Sequence, residues 1–343
     1  MRTRSATAGF IGFVTLVSGS LCGCGESKRD SAGHGGVVAV SAAGDGPGGG
    51  AGTSNVGATI DGADTGGTGG GGEGGAAGQD GAATGPTFTQ LSAGGSHTCA
   101  VRVDGRIVCW GSDSDGQASP PSGTFSNVAA GGLHTCAVAS DGSVACWGSD
   151  SDGQSNPPGG AFTTLSAGEF HTCGVRADRS VACWGRNDQG QSTPPSTPPT
   201  NAEFRNVAAG FQFTCGLRTD LQVVCWGVRL TLGVVGTYTS IAAGFQHACA
   251  IAVDGGLVCW GDEQTVPGNA RFVRVTVGSL HTCGIKTDGS VTCWGDDTFG
   301  EADAPPGRFV NIAAGGRHTC GIRADGVATC WGWDFDGQAT PPS

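Results

Sequence analysis

The chain has 343 residues, among them 66 glycines and 16 cysteines, and its formal net charge is −11 at pH 7. From Phe88 onward it carries 14 basic and 22 acidic residues, with Lys286 as the single lysine of that region. Because contacts to nucleic-acid phosphates need clustered lysine and arginine, this balance excludes nucleic acid as the expected partner.

The first 24 residues have the pattern of a bacterial export signal. Two arginines precede an apolar stretch, 8–21, that is too short to span a bilayer comfortably. The stretch ends in L-C-G-C, which resembles a lipobox, so we expect a lipoprotein signal peptide at 1–23 and a lipid on Cys24. An ordinary signal peptide cleaved nearby is the alternative. Glycine rather than aspartate follows Cys24, and the resemblance then implies sorting to the outer membrane.

Residues 24–86 are predicted to be a disordered Gly/Ala-rich tether. Between residues 31 and 86 there is no aromatic residue, lysine or arginine. Such a segment cannot bury enough apolar surface to order itself. As a flexible coil it would span on the order of 40–50 Å and hold a globular head, 87–343, away from the membrane.

The head repeats one unit seven times. Each copy begins with an aromatic residue, continues through A-A-G or a close variant, and then has two cysteines ten residues apart around a turn. The alternation of apolar residues predicts strands. In the first copy, a three-residue loop at 103–105 would place Cys99 directly opposite Cys109, whereas a two-residue loop would place Cys99 opposite Trp110.

The constant spacing therefore predicts one disulfide in each repeat. The pairs are Cys99–Cys109, Cys136–Cys146, Cys173–Cys183, Cys215–Cys225, Cys249–Cys259, Cys283–Cys293 and Cys320–Cys330. Zinc binding is the weaker alternative, because zinc sites favour two to four residues between paired cysteines rather than nine. Disulfides and an export signal agree on an oxidising compartment.

A period of 34 to 42 residues with about three strands and no helix signal indicates a propeller. Residues 87–343 resemble the regulator of chromosome condensation (RCC) repeat family, which forms seven-bladed β-propellers. The matching motifs are A-A-G-x-x-H-T at 129–135, D-G-x-V at 141–144 and G-Q at 153–154. The expected fold class is therefore all-β, a seven-bladed β-propeller. Aliphatic residues usually occupy the two cysteine positions in that family, so the disulfides are a variation.

No catalytic or metal site is predicted. Histidine lies two residues before the first cysteine in six copies, and Phe213 replaces it in the fourth. A residue repeated once per blade is normally architectural, and we expect these imidazoles to satisfy backbone groups near the glycine turn. The loop S-D-S-D-G-Q at 112–117 hints at calcium, but it lacks the ligand set of an EF-hand. No unique nucleophile stands beside a unique base, so we expect neither an enzyme nor a cofactor.

The two positions before each histidine differ between copies and are expected to lie in loops on one face of the ring. Shared residues build the scaffold, so variable apolar ones are candidates for a partner site. The predicted partner-binding arc consists of Leu133, Phe170, Phe211, Phe245 and Leu280. The alternative is local packing against neighbouring blades.

The sequence thus favours an exported, monomeric, lipid-anchored propeller of the cell envelope that binds an unidentified protein and contacts the membrane through its lipid alone. One alternative is inhibition of a secreted enzyme such as a β-lactamase. Its basis is the G-Q-x-x-x-P-P connections, which resemble those of propeller-type β-lactamase inhibitory proteins. Guanine nucleotide exchange, by family analogy, conflicts with export. A metal-dependent envelope hydrolase would require bound metal, and a purely structural surface protein would need no arc.

Overall fold

A computed structural model describes residues 86–195, 203–228, 235–261 and 266–343. The predicted signal peptide, Cys24 and the predicted tether up to residue 85 lie outside the described residues. In the part described, the strands are β1 Phe88–Ala93, β2 His97–Arg102, β3 Ile107–Gly111, β4 Phe125–Ala130, β5 His134–Ala139, β6 Val144–Gly148, β7 Phe162–Ala167, β8 His171–Arg176, β9 Val181–Gly185, β10 Phe204–Ala209, β11 Phe213–Arg218, β12 Val223–Gly227, β13 Tyr238–Ala243, β14 His247–Ala252, β15 Leu257–Gly261, β16 Phe272–Val277, β17 His281–Lys286, β18 Val291–Gly295, β19 Phe309–Ala314, β20 His318–Arg323 and β21 Ala328–Gly332.

The strands form seven antiparallel sheets of three consecutive strands each, which we number as blades 1 to 7 in chain order. The seven-bladed all-β propeller is therefore confirmed. The first strands of successive blades are neighbours around a central axis, and β19 is again a neighbour of β1. No helix in the described ranges has the length and apolar character that crossing a membrane requires.

The hairpin between the second and third strands has the predicted register. In blade 1 Cys99 pairs with Cys109, and the Arg102 N–H donates to the Arg106 carbonyl at 2.8 Å. Gly105 closes the loop with φ at 80°, a conformation that favours glycine. The same register recurs in every blade, and each blade contains its own disulfide, with Cα atoms 4.0–4.1 Å apart. The disulfide prediction is confirmed.

The apolar core lies between adjacent blades rather than in one central mass. Between blades 1 and 2, for example, Val101 and Ile107 pack against Phe125 and Val128. The aromatic residue that begins each first strand packs within its blade against the C-W-G tryptophan, as in Phe162 and Trp184 at 5.8 Å between ring centroids. Each blade therefore buries its second sheet face only when its neighbour is present.

Hydrogen bonds at the turns between first and second strands join the blades into a closed circle. In each turn the residue after the glycine donates its N–H to the glycine carbonyl of the next blade, at 3.0–3.4 Å. The seam uses the same bond, from Gly316 of blade 7 to Gly94 of blade 1. The last loop also crosses the seam, because the Gln338 carbonyl accepts from the indole N–H of Trp110 at 2.9 Å. Closure thus needs no exchange of strands between the two ends.

Candidate partner-binding face

The turns between first and second strands lie at one end of the ring, which we call the upper face, and the hairpin tips lie at the lower face. Each upper turn contributes two variable residues. The first of them lines the mouth of a small axial cavity of about 100 Å³, beside the glycines of the interblade circle. The second is the residue immediately before the buried histidine position. Of the five residues of the predicted arc, two occupy the first position, Phe211 and Phe245, and three occupy the second, Leu133, Phe170 and Leu280.

Phe211 and Phe245 occupy the first position in blades 4 and 5 and lie at the mouth of the axial cavity. Their rings stack with centroids 4.1 Å apart, and Phe170 of blade 3 meets Phe211 edge-on at 5.9 Å. The backbone N–H of Phe211 and of Phe245 is held in the interblade circle, which fixes both turns. Three of the five predicted residues therefore form one continuous aromatic surface, which we call the mouth cluster.

Leu133 and Leu280 lie on the blades that flank the mouth cluster. Leu133 belongs to blade 2 and is 40% exposed, and Leu280 belongs to blade 6 and is 47% exposed. Both occupy the second turn position, so they extend the apolar surface outward rather than around the axis. Their place on the upper face is where a partner covering the mouth cluster would reach them.

Charged groups accompany the mouth cluster. Glu169 occupies the first turn position of blade 3 and leans over blade 2, since a Cβ added at Gly132 would lie 2.7 Å from its carboxyl carbon. Burial raises the pKa of the Glu169 carboxyl group. The guanidinium of Arg186 lies 5.0 Å from the ring centroid of Phe170 and makes ion pairs with Asp152 and Asp188. An apolar centre with charged groups at its edge is the arrangement of many protein interfaces.

A second aromatic group on the upper face was missed by the sequence analysis. Phe299 and Trp333 meet at 4.4 Å between centroids, Phe335 lies 6.0 Å from Trp333, and the Arg317 guanidinium lies 5.0 Å over Phe299. Phe335 is 83% exposed. A signal was available, because the first two copies have serine at the positions of Trp333 and Phe335. We call this group, which spans blades 6 and 7, the rim cluster.

The six histidines are architectural, but their partners differ from the predicted backbone groups. In each case Nε2 is hydrogen-bonded to a threonine hydroxyl of the next blade at 2.7–2.8 Å, as between His134 and Thr172. The ring packs against the turn glycine so closely that a Cβ at Gly94 would lie 2.5 Å from His97 Cε1. Burial lowers the pKa of His134 to about 3, so the imidazole is neutral.

In blade 4 phenylalanine replaces the buried histidine, and the threonine that this histidine would contact is replaced as well. Phe213 of blade 4 would face the threonine position of blade 5, and that position holds Ala248. Both residues are buried in one apolar cluster. A polar pair has been replaced by an apolar pair, so neither residue of the pair is left as a buried polar group that has lost its partner.

The aspartates of the D-x-x-G-Q loops stabilise the turns by accepting hydrogen bonds within the loop. Asp113 accepts hydrogen bonds from the Ala118 N–H at 2.7 Å and the Ser119 hydroxyl at 2.6 Å. Asp334 is bonded in the same way to Ala339 and Thr340. Across the described ranges no three His, Cys, Asp or Glu side chains are grouped so that they could hold a metal ion.

Comparison with known proteins identifies the repeats. Six segments match the family described as the regulator of chromosome condensation (RCC1) repeat, in blades 1, 2, 3, 5, 6 and 7: 88–117, 125–154, 162–191, 238–264, 272–301 and 309–338. No curated protein sequence matches the chain significantly.

Solved structures share the fold. The CRINKLY WD40 ectodomain of the Arabidopsis thaliana receptor kinase ACR4 is 28% identical with a TM-score of 0.63, over 75% of this chain and 100% of that chain. The entire ectodomain of the Physcomitrella patens receptor kinase CR4 is 27% identical with a TM-score of 0.60, over 71% and 72%. Prp20p from Saccharomyces cerevisiae is 18% identical with a TM-score of 0.55, over 67% and 80%.

Proposed function

We propose that this chain, which belongs to the regulator of chromosome condensation (RCC1) repeat family, is a non-enzymatic module that binds a protein partner on its upper face. The observation that carries the proposal is the mouth cluster of Phe170, Phe211 and Phe245. Aromatic residues that lie at a protein surface and touch one another are the side chains that dominate binding energy in protein interfaces.

The scaffold does not require these aromatic rings. At the same two turn positions blade 1 has Gly95 and Ser96, and its turn makes the same interblade hydrogen bond. The phenylalanines are therefore an addition to a turn that closes without them. Residues that vary while the fold is kept are the ones available for recognition.

The rim cluster is a second reason to place the binding site on the upper face. It combines tryptophan, phenylalanine and arginine, a composition typical of interface anchors. The hairpin tips at the lower face carry apolar side chains as well, Val103 in blade 1 and Val253 in blade 5, but each is a single exposed residue of its tip. Isolated apolar residues are ordinary on protein surfaces.

Seven disulfides indicate an oxidising compartment outside the cytoplasm. We extend this to a lipoprotein of the cell envelope, anchored through Cys24 and raised from the membrane by residues 24–86. The sequence pattern of the first 24 residues supports that extension. The similarity to two receptor ectodomains agrees with a propeller that works outside the cell's interior. Prp20p, whose structure is described with its binding to Gsp1p and histones, shares only the fold.

The test is capture of partners from the producing cell's envelope with the full-length chain, tagged at its C-terminus. The variant changes Phe170, Phe211 and Phe245 to serine, the residue that Ser96 and Ser279 already provide in other turns. A matched control changes the exposed Val103 and Val253 of the lower face to serine. A protein retained by the parent and the control but lost from the variant supports the proposal. Equal retention by all three chains, or none by the parent, refutes it.

Inhibition of a secreted enzyme is a second candidate, favoured by the G-Q-x-x-x-P-P connections and by the half-buried mouth cluster beside the carboxylate of Glu169. Its assay is the hydrolysis rate of a β-lactamase panel with micromolar propeller protein. Inhibition that disappears in the triple serine variant would make the enzyme the partner. A panel whose rates are unchanged rejects this candidate and leaves the general binding role to the capture experiment.

A further inference from the structure

A cavity lies on the lower face, away from the proposed partner surface. It has a volume of about 430 Å³ and is bounded by blades 6, 7 and 1. Its lining includes Val273 and Arg274 of β16, Lys286 at the end of β17, Val310 of β19 and Arg323 at the end of β20. A cavity of this size is in the range of small-molecule sites.

The apolar wall of the cavity is particular to these two blades. Val273 and Val310 are the second residues of their first strands and are 55% and 45% exposed. The corresponding residues of the other blades are polar or charged: Thr89, Ser126, Thr163, Arg205 and Thr239. Ile285 and Ile322, which are buried, complete the wall. The repeat pattern therefore does not require an apolar surface here, and a ligand with an apolar part would gain by covering it.

Arg274 gives the cavity an unpaired positive charge. The corresponding residues of the other blades are neutral: Gln90, Asn127, Thr164, Asn206, Ser240 and Asn311. In blade 1 the amide of Gln90 bridges to the next blade, since it donates to the Val128 carbonyl at 3.2 Å and accepts from the Val128 N–H at 2.9 Å. A guanidinium cannot accept a hydrogen bond, so Arg274 cannot copy this bridge.

Within the described ranges no ion pair or hydrogen bond involves the half-buried side chain of Arg274. Burial lowers the pKa of its guanidinium. A partly buried cation without a partner is costly, and an anion placed beside it recovers that cost.

Two further cations stand at the cavity. Arg323 is held in place by a hydrogen bond from Nε to the Thr329 hydroxyl at 2.8 Å and by stacking over Phe309 at 5.0 Å. Lys286 lies at the edge, near the exposed Asp288, whose carboxyl pKa is lowered mainly by hydrogen bonds from Ser290 and to a lesser degree by the charge of Lys286. Three positive groups thus line an apolar cavity, although the propeller region as a whole has a negative net charge.

We propose that this cavity binds a small amphipathic carboxylate, with its hydrocarbon part against Val273 and Val310 and its carboxylate on Arg274 and Lys286. The fork of a guanidinium matches the two oxygens of a carboxylate, and the lysine adds a second donor. The hydrocarbon part would cover the two valines that break the polar pattern of this strand position, and both border the same cavity as Arg274. The site is independent of the partner surface on the upper face.

The test measures binding of decanoate, below its micellar concentration, to the full chain by isothermal titration calorimetry. Decanol and decylammonium carry the same hydrocarbon with a neutral and a positive head group. We expect decanoate to bind at least tenfold more tightly than decanol, and decylammonium not to bind. Arg274→Gln, which installs the residue of blade 1, should weaken decanoate binding about tenfold or more. Arg106→Gln removes an equal charge from the lower face of blade 1 and should leave binding unchanged.

Two further variants keep the test decisive if Arg274→Gln fails to fold. Lys286→Gln changes a group at the strand edge and should weaken binding several-fold. Val273→Thr with Val310→Thr installs the residue of blades 1, 3 and 5 and should weaken decanoate and decanol equally. The proposal is overturned if decanoate binds no better than decanol, or if the folded cavity variants bind like Arg106→Gln. Partner capture by the upper face is measured separately and does not depend on this result.

Discussion

Acidification from pH 8 to pH 5 should destabilise the propeller through its buried histidines. The folded state holds these imidazoles neutral, because burial lowers their pKa from 6.5 to about 3, or to about 4 for His281. The unfolded chain takes up protons near pH 6.5. Stability from these groups is therefore complete above pH 6.5 and is lost progressively as the pH falls toward their folded-state pKa.

The size of the effect follows from the interval between the pH and the unfolded-state pKa. Each histidine contributes about 1.4 kcal/mol per pH unit, hence about 2 kcal/mol at pH 5. For His97, His134, His171, His281 and His318 together this amounts to about 10 kcal/mol. Burial raises the pKa of Glu169, so acidification stabilises the folded state through this carboxyl group, but this is one group against five histidines. The aspartates with lowered pKa matter only below about pH 4.

The assay is urea unfolding with the disulfides intact, at pH 8, 7, 6 and 5, followed by tryptophan fluorescence. A double variant, His134→Phe with Thr172→Ala, copies the natural pair Phe213 and Ala248 and removes one of the five groups. Its loss of unfolding free energy between pH 8 and pH 5 should be smaller than the parent's by about 2 kcal/mol. A parent whose stability is flat over this range, or a double variant with the parent's pH dependence, would refute the reasoning.

Three further predictions concern single features. Replacing Cys99 and Cys109 by serine should lower the unfolding free energy by about 3 kcal/mol, as measured by urea titration at pH 8, since the bridge closes a short loop; an unchanged midpoint would contradict this. Gly94→Ala should cost about 1–3 kcal/mol, because its Cβ would overlap His97, whereas Gly159→Ala meets no neighbour and should be neutral; equal thermal midpoints for the two variants would count against it. Trp333→Ser with Phe335→Ser should leave the unfolding midpoint within about 0.5 kcal/mol of the parent's and weaken partner capture; a folded variant that captures as well as the parent would remove the rim cluster from the interface.

The disulfides and the blade count could be predicted because their information is local. Cys99 and Cys109 are partners in one hairpin, and the loop between them fixes the register. The partners of the histidines could not be predicted, because each lies in the next blade. Five of them are 35 to 43 residues away, and the partner of His318, Thr98, is 220 residues away across the seam. The matching change at Phe213 and Ala248 becomes visible only when that contact is known.

The aromatic surface of the upper face could be found only in part, for a related reason. Variation between copies drew attention to Phe170, Phe211 and Phe245, whose rings touch, but it could not separate the turn position at the cavity mouth from the one outside it. Attention to the turns alone also passed over Trp333 and Phe335, although serine in the first two copies marks both as departures. Arg274 was missed because a lone arginine in a strand carries no signal until its neutral counterparts are aligned with it.

The seam between blades 7 and 1 uses the same interblade hydrogen bond as every other junction, from Gly316 to Gly94. A gene segment that encodes one repeat therefore specifies three strands, the disulfide that links two of them, and one side of each contact with the neighbouring blades. Duplication of such a segment reproduces the interblade contacts without further substitutions, while the turns and loops of each copy can diverge in sequence. Evolution of this ring can proceed by duplication of whole blades and later specialisation of single ones, as the mouth cluster of blades 3 to 5 and the basic cavity of blades 6 and 7 illustrate.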